Sequence, residues 1–244
     1  MSKLYEAHNH ILLQADYQNP QEHRHMAAHI LVSPDRDMQV TAQNQTVFCR
    51  GVLIPSGFSH KIQTFGDPIL VFLFDSSTTV AAQIKTLQIL SAADAAAIGE
   101  LYNTFSREET DAAFHTFSNR VLHLLGFPEA SCCVTDDRIV SAMHRVCSFP
   151  GEAITCQKMA ASVFLSPSRF SHLFRKQVGM TFAAFLIYQR IVHVYTGILA
   201  GKTITQAALD AGFSSSAHFS DVNRRVFGLS ASTITKDLTF RKIQ

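Results

Sequence analysis

The chain has 244 residues, is 47% hydrophobic and carries a formal net charge of +2. That length allows one large domain or two ordinary ones with real cores. No apolar run approaches a membrane span, and Met1 to Asp16 lacks the basic start and apolar run of a signal peptide, so a soluble, cytoplasmic chain without a membrane partner is expected. The five cysteines are odd in number and form no CxxC pair, which argues against structural disulfides and a zinc cluster. Charge is unevenly distributed: residues 138–244 hold thirteen Lys/Arg against four Asp/Glu, whereas residues 1–137 hold eight against fifteen. A basic C-terminal half on an acidic N-terminal half points to a polyanionic partner for the former alone.

Residues 1 to about 75 read as β structure. Short runs rich in Val, Ile, Leu and Phe occur at His10–Gln14, His29–Ser33, Asp37–Ala42, Thr46–Cys49, Val52–Pro55, His60–Gln63 and Ile69–Asp75, separated by turn formers such as Ser33-Pro34-Asp35 and Gly66-Asp67-Pro68. Many short strands with frequent turns suggest a small barrel or sandwich. Two stretches resemble the cupin barrel: Glu22-His23-Arg24-His25 with His29 four positions on, and Pro55-Ser56-Gly57-Phe58-Ser59-His60. The resemblance implies a divalent metal held by His23, His25 and His60, although His29 stands where that family usually has a glutamate. The alternative is that these histidines line a ligand pocket or satisfy rim carbonyls. The expectation adopted is no metal and no cofactor.

Val80 to Gly126 turns helical. Ser91-Ala92-Ala93-Asp94 precedes an Ala-rich helix to about Phe105. A later helix begins near Asp111 with a stripe of Phe114, Phe117, Val121, Leu124 and Leu125, and Gly126 can stop it. These helices either pack on the barrel or pair with a second copy of the chain. Residues 1–125 thus form a cupin-like sensor or dimerisation domain, and residues 126–136, with Gly, Pro and small residues and no helical period, form a linker. Asp137 starts a helix to about Ser148.

Residues 154–163 read as a short helix ending in a turn, and Ser166-Pro167 can open the next one. In that next helix Phe170, Leu173, Phe174 and Val178 form an apolar stripe, while Ser168, Arg169, Ser171, His172, Arg175 and Lys176 share the other face. Two helices joined by a tight turn, the second cationic and rich in donors, form a helix-turn-helix unit suited to the major groove. Thr181 to Ala200 reads as a long, largely apolar helix stopped by Gly201. The pattern then repeats about fifty residues on: Ile204–Ala211 as a helix, Gly212-Phe213-Ser214 as a turn, Ser215–Phe227 as a second recognition helix, and a final short helix with a basic tail. Two such units on a rigid spacer can enter successive major grooves, about 34 Å apart.

Residues from about 138 to 240 resemble the DNA-binding domain of AraC/XylS-family transcription regulators. The residues that carry this are Leu165-Ser166-Pro167-Ser168, Leu173-Phe174-Arg175-Lys176, Gly179, Tyr188-Gln189-Arg190, Ile204-Thr205-Gln206-Ala207-Ala208, Gly212-Phe213-Ser214, His218-Phe219-Ser220 and Phe227-Gly228. The resemblance implies a two-domain α+β chain: a cupin-like barrel with following helices, then, over residues 137–244, an all-α domain with two helix-turn-helix units joined by a long helix. It implies a non-enzymatic regulator with double-stranded DNA as partner, a small-molecule or protein effector, and RNA polymerase. The other function class is a metal-dependent cupin enzyme with an accessory DNA-binding tail.

Ser168, Ser171 and His172 are the base-reading candidates, and Arg169, Arg175, Lys176, Arg224 and Arg225 the phosphate candidates. Ala217, His218, Ser220 and Asp221 complete the exposed face of the second recognition helix. Two departures from the family stand there. Asn223 falls on the apolar face, where an aromatic is usual and where an amide needs partners. Asp221 faces DNA, where a basic residue is common. Unequal halves are therefore expected, the first reading sequence and the second mainly positioning.

Overall fold

The structure is a computed structural model describing residues 2–7, 10–17, 21–24, 27–131, 134–148, 154–227, 231 and 238–243. It divides into two compact units, residues 1–132 with 224–244, and residues 133–223.

The first unit is rich in sheet. Its strands are β1 (Ser2–Glu6), β2 (His10–Ala15), β3 (Ala28–Val32), β4 (Met38–Ala42), β5 (Gln45–Cys49), β6 (Gly51–Ile54), β7 (His60–Gln63), β8 (Ile69–Phe74), β9 (Gln88–Ile89) and β10 (Leu238–Lys242). Seven pair in the order β10-β1-β2-β8-β3-β6-β9, and β5-β4-β7 form a second sheet. All five residues of β3 and all six of β8 are buried; the unbroken apolar run of β8 suits a strand covered on both faces, and β3 is apolar except for His29. In β7 burial alternates, with His60 and Ile62 inward and Lys61 and Gln63 half-buried, the period-two pattern of a strand with one covered face.

Helices α1 (Thr79–Gln83), α2 (Ala92–Glu108) and α3 (Asp111–Leu124) follow. The Ser91 hydroxyl accepts from the Asp94 amide and the Thr110 hydroxyl from the Ala113 amide, so each of the two longer helices starts on its own cap. Their buried stripes, Ala95, Ile98, Tyr102 and Phe105 on α2 and Phe114, Phe117 and Val121 on α3, join Leu12, Ile30, Phe72 and Phe74 in one core. These helices pack on the sheet.

β1 lies inside the stretch that reads as β but outside its individual runs, and β10 lies outside that stretch altogether. The expected final helix falls largely on residues outside the described set, but the basic tail after it is the strand β10, parallel to β1 with Ser2 opposite Leu238 and Glu6 opposite Lys242. Ile243 is buried in the first unit's core, its amide donating to the Glu6 carbonyl at 2.8 Å. Arg241 donates to Asp111 on α3. A local reading could not find this pairing, because its two strands lie more than two hundred positions apart.

The second unit is helical: α4 (Asp137–Ser148), α5 (Cys156–Ser162), α6 (Pro167–Val178), α7 (Phe182–Leu199), α8 (Ile204–Asp210) and the greater part of α9 (Ser216–Phe227). By length and composition alone α7 could cross a membrane. It differs in that respect from the expectation that no run approaches a span. Here it is a core helix, with Phe182, Phe185, Leu186, Ile191, Val194 and Tyr195 buried and with α4, α6 and α8 packed along it.

Candidate nucleic-acid interface

The first pair of helices joined by a tight turn is α5 and α6. The Thr155 hydroxyl accepts from the Lys158 amide to open α5. The Ser166 hydroxyl accepts from the Arg169 amide to open α6, with Pro167 in its first turn. Gly179 ends α6 in the left-handed region, φ 81°, its amide donating to the Arg175 carbonyl. Phe170, Phe174 and Val178 are fully buried. Their rings meet those of α7: Phe174 lies 5.3 Å from Phe182 and 5.5 Å from Phe185, both edge-on. This aromatic seat fixes the rotation of α6, so Ser168, Arg169, Ser171, His172, Arg175 and Lys176 are all exposed on its other side. The Ser171 hydroxyl also lies 3.2 Å from the Cys156 thiol at the start of α5. No Asp or Glu occurs between Glu152 and Asp210, so α5, α6 and α7 bring cations and no carboxylate side chain of their own.

The second unit repeats the plan with different chemistry. Thr203 and Gln206 form a reciprocal capping box on α8. The Ser215 hydroxyl accepts from the His218 amide at the start of α9. Ala217, His218, Asp221, Arg224 and Arg225 are exposed. Ser220 is half-buried and its hydroxyl donates to the Ser216 carbonyl one turn back, so that group is already engaged. The His218 ring is likewise tied to Ser214, 3.0 Å from its hydroxyl.

Asn223 is fully buried, as the helical angle requires, and its partner is Tyr195 of α7, whose hydroxyl donates to Asn223 Oδ1 at 2.8 Å. Counting eight residues from each cap, Asn223 stands where α6 has Phe174. At this position the second helix pair therefore has a buried polar contact where the first has rings, although Phe219 still packs on Tyr195 and Phe213 nearby. Tyr195→Phe leaves the buried amide with one partner fewer and is expected to cost about 1–3 kcal/mol. Thermal unfolding of the full chain measures this; an unchanged melting temperature would show that the pair contributes nothing.

In the first unit His23 and His60 form an isolated bridge, with ring centroids 4.5 Å apart, and His29 lies 5.1 Å from His60. The Nδ1 atoms of His23 and His60 lie 2.9 and 2.8 Å from the carbonyls of Gln21 and Phe58. Burial pushes all three imidazoles below their ordinary range, His60 to about 4. Among the described residues no three His, Cys, Asp or Glu side chains meet in a geometry that holds a metal ion. His25 lies outside the described residues. A groove along α2 and α3 is lined by Leu101, Asn119, Arg120, His123, Phe127 and Glu129.

Sequence reasoning passed over Phe164 in the turn between α5 and α6. It has φ 57° and is 96% exposed. The signal was present in the repeat: Thr155 and Thr203, and Phe164 and Gly212, are both 48 positions apart.

A family model for a helix-turn-helix domain matches residues 159–237. No curated protein matches the sequence. Solved structures of similar fold include an apo ToxT variant from Vibrio cholerae, 13% identical over 92% of this chain and 96% of that one, with a TM-score of 0.59. Wild-type ToxT of Vibrio cholerae bound to an unsaturated fatty acid is 13% identical over 92% and 94%, TM-score 0.56. Another ToxT structure from that organism is 15% identical over 93% and 98%, also with TM-score 0.56. At these identities the likeness is one of fold, a sheet-rich N-terminal part and a helical C-terminal part. The cationic, acid-free helix-turn-helix and the matching domain lead to one conclusion: residues 159–237 form a helix-turn-helix domain, and the chain is a DNA-binding transcriptional regulator.

Proposed function

We propose that the first helix-turn-helix supplies most of the sequence reading and the second mainly positions the protein on the duplex. The observation that carries this is the contrast between the two exposed faces. On α6, Ser168, Ser171 and His172 lie exposed among Arg169, Arg175 and Lys176. Their reach is short, so base-edge contacts run partly through water. On α9, Ser220 is spent on its own backbone and Asp221 brings a carboxylate towards phosphate, which is unfavourable unless it accepts from a cytosine amino group. Arg224 and Arg225 then serve phosphates.

His172→Ala is expected to weaken binding to the preferred site about tenfold, the scale of one base contact. Arg175→Ala and Lys176→Ala are each expected to lower the salt slope of binding by about one unit. Asp221→Arg leaves base preference intact. Fluorescence anisotropy on the best site from a genome-wide binding map tests all four. If Asp221→Arg relaxes preference as much as His172→Ala weakens binding, the division between the halves is wrong.

Residues 1–125, a cupin-like barrel carrying α2 and α3, act as the sensor. A small molecule or partner protein bound there changes how the DNA-binding half is presented, a coupling between two sites. The α2–α3 groove, with apolar walls and Arg120 and His123 at its side, gives an amphipathic effector a place. The fatty acid carried by ToxT in a structure of the same fold supports a small-molecule effector. RNA polymerase is the partner at the promoter, and the cytoplasm the compartment.

A further inference from the structure

The two helix-turn-helix units make the same turn with different residues. In the first, the Phe164 amide donates to the Ala161 carbonyl and the Leu165 amide to Ala160; in the second, the Gly212 amide donates to Leu209 and the Phe213 amide to Ala208. Phe164 and Gly212 are thus equivalent positions, and both lie in the left-handed region, at φ 57° and 84°. Glycine suits the second turn twice over, since a Cβ on Gly212 would come within 3.2 Å of the Arg190 guanidinium. A phenylalanine at such a φ is strained. It gains no burial in return, because its ring is 96% exposed while Val163 is buried and Leu165 half-buried. Neither local conformation nor packing accounts for an aromatic residue here.

Resting on the reading of α6 as the base-reading helix, we propose that Phe164 is a further DNA contact, an apolar reader of a thymine methyl group at the edge of the first half-site. Phe164 precedes the Ser166 cap by two residues, so it stands at the N-terminal end of α6, the end of a recognition helix that meets base edges. Its surroundings suit a polyanion: Lys158 and Arg169 flank it, and no acidic residue occurs from Ala153 to Leu209. A phenyl ring offers no hydrogen bond, and the thymine C5-methyl is the apolar feature of the major groove that such a ring recognises.

The test uses the full chain. Wild type, Phe164→Gly and Phe164→Asn are each put through selection from a random duplex DNA pool, and affinities are then measured on the wild-type best site with each flanking thymine replaced by uracil. Both variants suit a left-handed turn and are expected to melt no lower than wild type. The expected result is loss of one thymine preference from the selected motif in both variants, with the rest kept. Binding to the wild-type site falls about tenfold, the scale of one apolar base contact. Removing the methyl weakens wild type and leaves the variants unaffected. Identical motifs and affinities for all three proteins would overturn the proposal. So would a loss of transcription with unchanged DNA binding, which would assign the ring to a protein contact. If wild type itself enriches no sequence, the reading of α6 falls and the role of Phe164 with it.

Discussion

Phe174→Ala is expected to destabilise the chain by about 3–5 kcal/mol, the range for removing a fully buried aromatic side chain. Phe174 is completely buried and touches Phe170 on its own helix and Phe182 and Phe185 on α7. Those rings are most of what holds α6 at its observed rotation. A domain of ordinary stability has about 5–15 kcal/mol in all, so the variant remains folded at low temperature but loses much of its reserve. Its melting temperature should fall by more than 10 °C, at roughly 4–8 °C per kcal/mol for a unit of this size. DNA affinity should fall with it, although Phe174 faces away from the duplex, because this seat, together with the packing of α6 on α5 and α4, holds the base readers in place. A loss below about 1 kcal/mol would mean that α7 closes over the void and that the aromatic contact is not what fixes the helix.

The same position shows what the sequence makes legible. In the C-terminal part the information is local. Ser166-Pro167 at one end of α6 and Gly179 at the other set its bounds, and the spacing of Phe170, Phe174 and Val178 sets its inward face. The burial of Asn223 follows from helical angle alone, and so does its need for a partner; that the partner is Tyr195, twenty-eight positions back, does not. In the N-terminal part the apolar runs mark most strands to within one or two residues. Their pairing depends on distant segments, so β10 beside β1 could not be read. Phe164 is hidden for another reason: periodicity reports which residues point inward, and a turn residue that points out adds nothing to that pattern. Its oddity shows only when the backbone angle is known and the repeat supplies a glycine for comparison.

The first unit is expected to unfold on mild acidification. His10 is buried with its ring stacked between Phe74 and Phe114, 5.0 and 5.5 Å away, and with Nε2 3.0 Å from the Ser118 hydroxyl. Burial, helped by the charge of His115, lowers it to about 4. Burial first, and then the neighbouring His23, lowers His60 to about 4 as well, and burial shifts His23 and His29 the same way. A group whose folded pKa lies below its unfolded value of about 6.5 stabilises the fold fully above that pH, and the contribution is lost as the pH falls towards the folded pKa. For His10 and His60 each, the whole span corresponds to about 3 kcal/mol. Burial raises Glu6 and Asp75, which act in the opposite sense and offset part of this. Four histidines against two carboxyls leave a net loss of stability between about pH 6 and 4. Far-UV circular dichroism as a function of pH, on the full chain, should show the sheet signal lost in that window. His10→Gln removes one titrating ring while keeping a donor for Ser118, and it should move the midpoint to lower pH and make the transition shallower. If the acid limb of the variant matches that of wild type, protonation of His10 is not what opens the core, and the histidines around His60 must account for the transition alone.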